Sequence, residues 1–232
     1  MLQVKIVQAR EVKHMRNVNA VIFDMDGVLI DTERISFNAF KEVLGGYNYV
    51  MSEEFYLTMI GRNVKSIKEL MLEEYGRDFP FEEVYEKKVK IAVDTIDRDG
   101  VIVKPGVHEI VDYLKDNDYK VAVATSTSRE RAHYLLEQVG IKDKIDYIIC
   151  GDQVENSKPN PEIFLKAAKG IGAEPQNCMV IEDSDAGILA ASRAGMRGIN
   201  VPDMKMPDEN MKKLAYKICS SLHEVKTYIE SM

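Results

Sequence analysis

Ala20-Val21-Ile22-Phe23-Asp24-Met25-Asp26-Gly27-Val28 is the stretch on which the reading of the chain turns. Its first four residues form a short apolar run. If that run is a strand, side chains two apart share a face. Asp24 and Asp26 then project together from the strand's carboxyl end, and Gly27 permits the sharp turn that follows. Two carboxylates with no base between them suit an oxygen-loving cation such as Mg²⁺. They also suit covalent chemistry, one as nucleophile and the other as proton donor. A calcium loop fits less well, because it wants Gly at its sixth position, whereas here Gly27 is fourth and Val28 fifth. A solvated acidic turn is the plainer alternative, and the pentapeptide alone does not decide between them.

Working outward, the pattern changes after Asp31 from strand to helix and stays helical for a long stretch. Residues 33–45, 52–60, 63–75 and 81–97 each carry helical periodicity, with breaks at Gly45-Gly46, at Gly61 and between Gly76 and Pro80. Four consecutive helices do not belong in an alternating sheet, so residues 33–101 read as an inserted α-helical cap. Alternation begins after Pro105-Gly106. Helices over 107–117, 129–139 and 186–194, and one opened by Pro161, alternate with strands at 120–124, 147–150, 178–181 and 198–201. That order implies an α/β fold, with a doubly wound, Rossmann-like parallel sheet formed by residues 19–32 and 102–232. Ligands of such sheets bind outside the strands' carboxyl ends. Residues 1–18 read as an N-terminal extension, and Met15 is an alternative start.

Composition narrows the partners. At 232 residues the chain supports one sizeable core, or a core and a small accessory domain. No apolar run approaches the ~18 residues of a membrane helix, so no membrane partner is expected. The charged N-terminus does not resemble a secretory signal. A net charge of −7 argues against nucleic acid, which is bound through clustered Lys and Arg. A small anionic substrate remains compatible, because a bound cation and a few local basic groups can reverse the field inside a cleft. Cys150, Cys178 and Cys219 are widely spaced and read as reduced residues of a cytoplasmic protein. The four histidines show no ligand spacing.

Three further segments fall at carboxyl ends of the expected strands. Thr125-Ser126-Thr127 offers hydroxyls and N–H groups for an anion, or simply a helix N-cap. Lys158, in Lys158-Pro159-Asn160-Pro161, is held on a stiffened backbone where it can offset phosphate charge. Glu182 and Asp183 are placed to complete a metal site begun by Asp24 and the Asp26 carbonyl; acidic residues also favour a helix N-terminus, by ~0.3–1 kcal/mol. The ordered set of Asp/Asp, Thr/Ser, Lys and Glu/Asp points to a phosphoryl-transfer site.

This ordered set resembles the haloacid dehalogenase-like superfamily of phosphotransferases, with its small helical cap. Phe23-Asp-Met-Asp-Gly-Val-Leu-Ile-Asp-Thr32, Ser157-Lys-Pro-Asn-Pro-Glu-Ile-Phe164 and Val180-Ile-Glu-Asp-Ser-Asp-Ala-Gly187 are similar to its β-phosphoglucomutase and sugar-phosphatase branch. The resemblance implies that Asp24 attacks phosphorus and that Asp26 serves as acid and then base. It assigns the transferring phosphoryl oxygens to Thr125 and the Ser126 backbone, and charge neutralisation to Lys158. Mg²⁺ falls to Asp24, the Asp26 carbonyl and Asp183, with Glu182 as an additional or outer ligand. The cap segment Gly61-Arg62-Asn63 is similar to the family's specificity loop, which makes Arg62 and Asn63 candidate substrate-binding residues; a solvated helix-end arginine is the equal alternative for Arg62. The expected activity is Mg²⁺-dependent hydrolysis of a small phosphorylated metabolite by a monomer.

A phosphomutase is the second expectation. In the mutase pattern a histidine stands four residues beyond the Thr matching Thr32, and this chain has Ser36 there. A non-enzymatic regulator that binds phosphate ligands is the third.

Overall fold

The computed structural model describes residues 18–60, 62 and 64–232. Most of the expected extension (1–17) and Asn63 therefore lie outside the described residues. Six parallel strands form one sheet: β1 (Ala20–Phe23), β2 (Lys120–Ala124), β3 (Tyr147–Ile149), β4 (Cys178–Glu182), β5 (Arg197–Asn200) and β6 (Lys217–Ile218), in the order β3-β2-β1-β4-β5-β6. The expected doubly wound α/β sheet is thus present, and β6 extends it by a strand too short to show in the hydrophobic pattern.

The strand sequences follow from their burial. All four residues of β1 are buried, as are Val121 to Ala124 and the whole of β4. A parallel sheet covered on both faces needs such uninterrupted apolar runs. Alternate residues serve opposite faces. Val21, Phe23, Val121, Val123, Met179 and Ile181 join one apolar cluster, with Ile110 and Leu114 of the helix Val107–Asp116. Ala20, Ile22, Ala122, Ala124, Cys178 and Val180 join the other, with Phe164 and Ala167 of the helix Glu162–Gly170.

Register then places the chemistry. Phe23 pairs with Val123 on one side and with Ile181 on the other. The residues just beyond these three strands therefore emerge side by side. β1 lies between β2 and β4, where the strand order reverses, and crevices form at such switch points.

Helices α1 (Thr32–Gly46), α2 (Glu53–Met59), α3 (Val64–Tyr75) and α4 (Phe81–Asp99) follow β1 without a strand between them. Ser52 caps α2 by accepting from the Phe55 N–H at 3.1 Å. The four helices enclose a third apolar cluster that includes Phe40, Leu44, Met59, Met71 and Val84. The chain leaves and returns at adjacent points: the Asp31 N–H donates to the Ile102 carbonyl at 2.8 Å, and the Lys104 N–H to the Leu29 carbonyl at 3.0 Å. No helix among the described residues is long and apolar enough to cross a membrane.

Candidate active site

Asp24 follows β1 directly and extends its ladder, its N–H donating to the Ile181 carbonyl at 2.9 Å. Lys158 arrives from the loop between β3 and the helix Glu162–Gly170, its ammonium 5.0 Å from the centre of the Phe164 ring. Nζ donates to Asp24 Oδ1 at 2.6 Å, to Glu182 Oε1 at 2.9 Å and to the Ala124 carbonyl at 3.3 Å. One cation thus ties together the carboxyl ends of β1, β2 and β4. Its side chain is 8% exposed, so the pairing acts at low dielectric, where charge-charge terms are large. Burial works against the Lys158 charge, but the Asp24 and Glu182 carboxylates outweigh it and hold the ammonium above its ordinary value.

Three carboxylates share this space. Asp24, Glu182 and Asp183 each present an oxygen within 4.8 Å of the others. Burial pushes the Asp24 carboxyl up to about 7 against the pull of Lys158, and Glu182 and Asp26 add repulsion. Asp183 is driven well above its ordinary value by burial first, then by the Glu182 and Asp24 charges. Lys158 alone does not neutralise the cluster. An all-oxygen, under-neutralised donor set fits a hard divalent cation such as Mg²⁺. Both Glu182 oxygens are already engaged: Oε2 accepts from the Ser184 N–H at 2.6 Å and from the Ser184 hydroxyl at 2.9 Å. Asp24 and Asp183 are the freer pair.

The backbone around the cluster leaves no room for side chains. A Cβ on Gly27, whose φ is +80°, would lie 2.4 Å from Asp183 Oδ2; a Cβ on Gly187 would lie 1.7 Å from Glu182 Oε1. Asn200 at the end of β5, 1% exposed, donates from Nδ2 to the carbonyls of Glu182 (3.2 Å) and Asp183 (3.0 Å).

Asp26 enters the same cleft, and three hydroxyls hold it. Thr32 donates to Oδ1 at 2.8 Å, while Thr127 and Thr125 donate to Oδ2 at 2.8 and 3.2 Å. Thr125 is fully buried and also accepts from the Thr127 N–H at 3.0 Å. Its hydroxyl therefore faces Asp26, and the exposed Ser126 is the residue of that loop that lines the cleft. The cleft has a volume of about 430 Å³, and Ile60, Arg62, Val64 and Tyr85 of the helical insert line it opposite Asp24, Asp26 and Lys158. Arg62 is exposed at its edge and donates from Nε to the Thr58 carbonyl at 2.7 Å.

Apart from Asn63, the sequence-predicted site residues thus converge on one cleft or its immediate support. Sequence reasoning gave no role to Thr32 and Thr127, whose hydroxyls donate to Asp26, to Asn200, a polar residue closing β5, or to Glu33, which lines the cleft.

Comparison with known proteins follows the same line. The model of the haloacid dehalogenase-like hydrolases matches residues 21–201. A phosphorylated carbohydrates phosphatase of Thermotoga maritima is 32% identical over 186 residues, covering 78% of this chain and 84% of that protein. A fructose-1-phosphate phosphatase of Escherichia coli is 32% identical over 183 residues, 78% of this chain and 95% of its own. Among solved structures, a β-phosphoglucomutase from Clostridium difficile superposes with a TM-score of 0.74 at 28% identity, covering 92% of this chain and 96% of its own. With the family model running from β1 to the end of β5 and taking in the helical insert and all four motif loops, this chain belongs to the haloacid dehalogenase-like hydrolases.

Proposed function

We propose that the chain is a Mg²⁺-dependent phosphatase that hydrolyses a small phosphorylated metabolite, a sugar or polyol phosphate, through an aspartyl-phosphate on Asp24. The observation that carries this reading is the Lys158 bridge, which holds Asp24 Oδ1 at 2.6 Å beside an acidic cluster, with Asp26 in the same cleft. The similarity to two phosphatases named for carbohydrate substrates supports the substrate class.

Asp24 and Asp183, with the Asp26 carbonyl, would hold Mg²⁺, which supplies positive charge beside the transferring phosphoryl group. Glu182 serves by fixing Lys158. The Asp24 carboxylate attacks phosphorus in line, and the bond to the alcohol oxygen breaks as Asp26 gives that oxygen a proton. Asp26 then takes a proton from water as the water attacks phosphorus, and the bond to Asp24 Oδ breaks. Lys158 offsets the charge gathering on phosphoryl oxygens and the Ser126 N–H donates to them, while Thr125, expected on those oxygens from the sequence, instead holds Asp26 through its hydroxyl. Positioning and charge neutralisation are what this chemistry requires.

Residues 33–101 act as a cap over the core formed by 19–32 and 102–232, and Arg62 and Asn63 contribute to substrate choice from the cap. Every group in this scheme comes from one chain, so we read the working unit as a monomer. Three buried free cysteines fit a reducing compartment, the cytoplasm. The phosphomutase alternative is not favoured: the sugar-phosphatase relatives match over most of the chain, and Ser36 stands where a mutase has histidine.

The test is phosphate release across a panel of sugar and polyol phosphates, including β-glucose 1-phosphate with its isomer product quantified. Release that EDTA abolishes supports the reading. Isomer formation without phosphate release, or no turnover of any member, overturns it.

A further inference from the structure

Lys158 stands in the loop between β3 and the helix Glu162–Gly170, where Glu155, Asn156 and Ser157 before it and Pro159 after it are all exposed. Its ammonium must nonetheless meet Asp24 and Glu182 at 2.6 and 2.9 Å. A lysine side chain loses about 2 kcal/mol of rotamer freedom when it is fixed, so such a placement needs a backbone that is itself held. Pro159 and Pro161 set their own φ but donate no N–H, so they tie the loop to nothing.

The tie comes from Glu162. It opens the helix, where a carboxylate ordinarily does no more than complement the helix dipole. Here both oxygens turn to the incoming loop. Oε1 accepts from the Glu155 N–H at 3.0 Å, and Oε2 accepts from the Asn156 N–H at 2.9 Å and from Asn156 Nδ2 at 3.1 Å. The Lys166 ammonium lies 2.7 Å from Oε1 and itself donates to the Gln153 carbonyl at 2.9 Å. Together the Lys166 ammonium and the loop N–H groups hold the Glu162 carboxyl down to about 2, so it stays ionised.

The far side of Lys158 is closed in the same way. The Glu162 N–H donates to Asn160 Oδ1 at 3.0 Å, and the Asn160 N–H donates to the Ser157 carbonyl at 3.0 Å. Arg193, at the end of the helix Asp185–Arg193, donates to the Pro159 carbonyl at 2.9 Å. An exposed i,i+4 ion pair such as Glu162 with Lys166 would by itself matter little. Three bonds from one dipeptide to a carboxylate matter more, because charge-assisted hydrogen bonds are roughly twice as strong as neutral ones.

We propose that Glu162 is a positioning residue for phosphoryl transfer: by clamping Glu155 and Asn156 it sets where the Lys158 backbone lies, and hence where Nζ meets Asp24, Glu182 and the phosphoryl oxygens. This rests on the phosphatase reading above and adds to it a residue that does not line the cleft. At most ~7 Å of chain separates the Asn156 and Lys158 Cα atoms, which leaves little slack between clamp and ammonium. A misplacement of about 1 Å in such a group can cost about 100-fold in rate.

The experiment is a double-mutant cycle on phosphate release from p-nitrophenyl phosphate in Mg²⁺, with the reactivity of Lys158 read alongside. Glu162→Ala should lower kcat about 10- to 100-fold and change KM much less, because Lys158 acts on charge that gathers in the transition state. In a Lys158→Met background the same substitution should cost less than about threefold. Glu162→Gln, which keeps one acceptor oxygen, should fall between wild type and Glu162→Ala. A brief pulse of acetic anhydride with peptide mapping should label wild-type Lys158 more slowly than the exposed lysines, and label it about tenfold faster in Glu162→Ala. Thermal unfolding confirms that each variant folds, and Glu162→Gln carries the cycle if Glu162→Ala does not. Equal losses in both backgrounds, or unchanged labelling of Lys158, overturn the proposal while leaving the phosphatase reading standing. If wild type releases phosphate neither from this ester nor from the sugar and polyol phosphates, the phosphatase reading itself falls, and this inference with it.

Discussion

Asp24→Asn is expected to make the metal-free protein more stable while removing its activity. Asp24 is 6% exposed, and burial lifts its carboxyl from 3.8 to about 7 even against the attraction of Lys158. The folded value lies above the unfolded one, so the fold binds this proton more tightly than the unfolded chain does. The stability it contributes is full below an unfolded value of 3.8 and is lost as pH rises through about 7. At 1.36 kcal/mol per pH unit, the ionised carboxylate costs the metal-free fold on the order of 4 kcal/mol at pH 8. Asn keeps the shape and an oxygen that can accept from Lys158 Nζ, and Lys158 retains Glu182 at 2.9 Å. Because the Asn amide also needs a partner, the expected net gain is about 1–4 kcal/mol at pH 8 and little at pH 5. Urea unfolding in EDTA at both pH values measures it. Wild type should be weaker at pH 8 than at pH 5, and the variant should narrow that gap; Asp183, raised in the same direction, leaves part of the slope in both proteins. Saturating Mg²⁺ should then restore wild type by about 2.7 kcal/mol at a hundred times its Kd, and the variant by much less. A variant less stable than wild type at pH 8, or an equal gain at both pH values, would rule out a raised Asp24 carboxyl as the cause.

Gly187→Ala and Asn200→Ala probe the support of the cluster, and Gly45→Ala, in α1, is their control. Gly187→Ala sets a methyl 1.7 Å from Glu182 Oε1, so it should destabilise by about 1–3 kcal/mol and lower kcat/KM more than tenfold. Gly45→Ala, with nothing within 4 Å of the new Cβ, should be neutral or gain up to about 1 kcal/mol in the same unfolding assay. Asn200→Ala removes the donor to the Glu182 and Asp183 carbonyls and should weaken Mg²⁺ binding about 10- to 100-fold by titration calorimetry, with a smaller effect on unfolding.

The parts of the fold that were legible in the sequence are those whose residues face one environment along a whole element. Ala20–Phe23 and Cys178–Glu182 are buried from end to end, so their apolar runs announce strands, and the acidic residues that follow them announce strand ends. Lys217–Ile218 is two half-buried residues at the sheet edge, too short for any period. The helices Glu209–Leu214 and Leu222–Glu230 are likewise not among the expected elements. Within the site, order along the chain revealed the four loops, because each follows a strand. It could not reveal that both threonines of Thr125-Ser126-Thr127 turn to Asp26 and leave Ser126 to line the cleft, since that depends on loop backbone geometry. Nor could it single out Glu162, which reads as an acidic residue opening a helix; only the fold of the loop sets its carboxylate against the Glu155 and Asn156 N–H groups.

Phosphate is expected to leave by way of Asp24. The most direct test of that route is rapid acid quench of wild type turning over a labelled sugar phosphate in Mg²⁺, followed by peptide mapping. The phosphoryl group should be found on Asp24, absent when Mg²⁺ is withheld and decaying as free phosphate appears. A phosphoryl group on any other residue, or an Asp24→Asn enzyme releasing phosphate within tenfold of the wild-type rate, would contradict it.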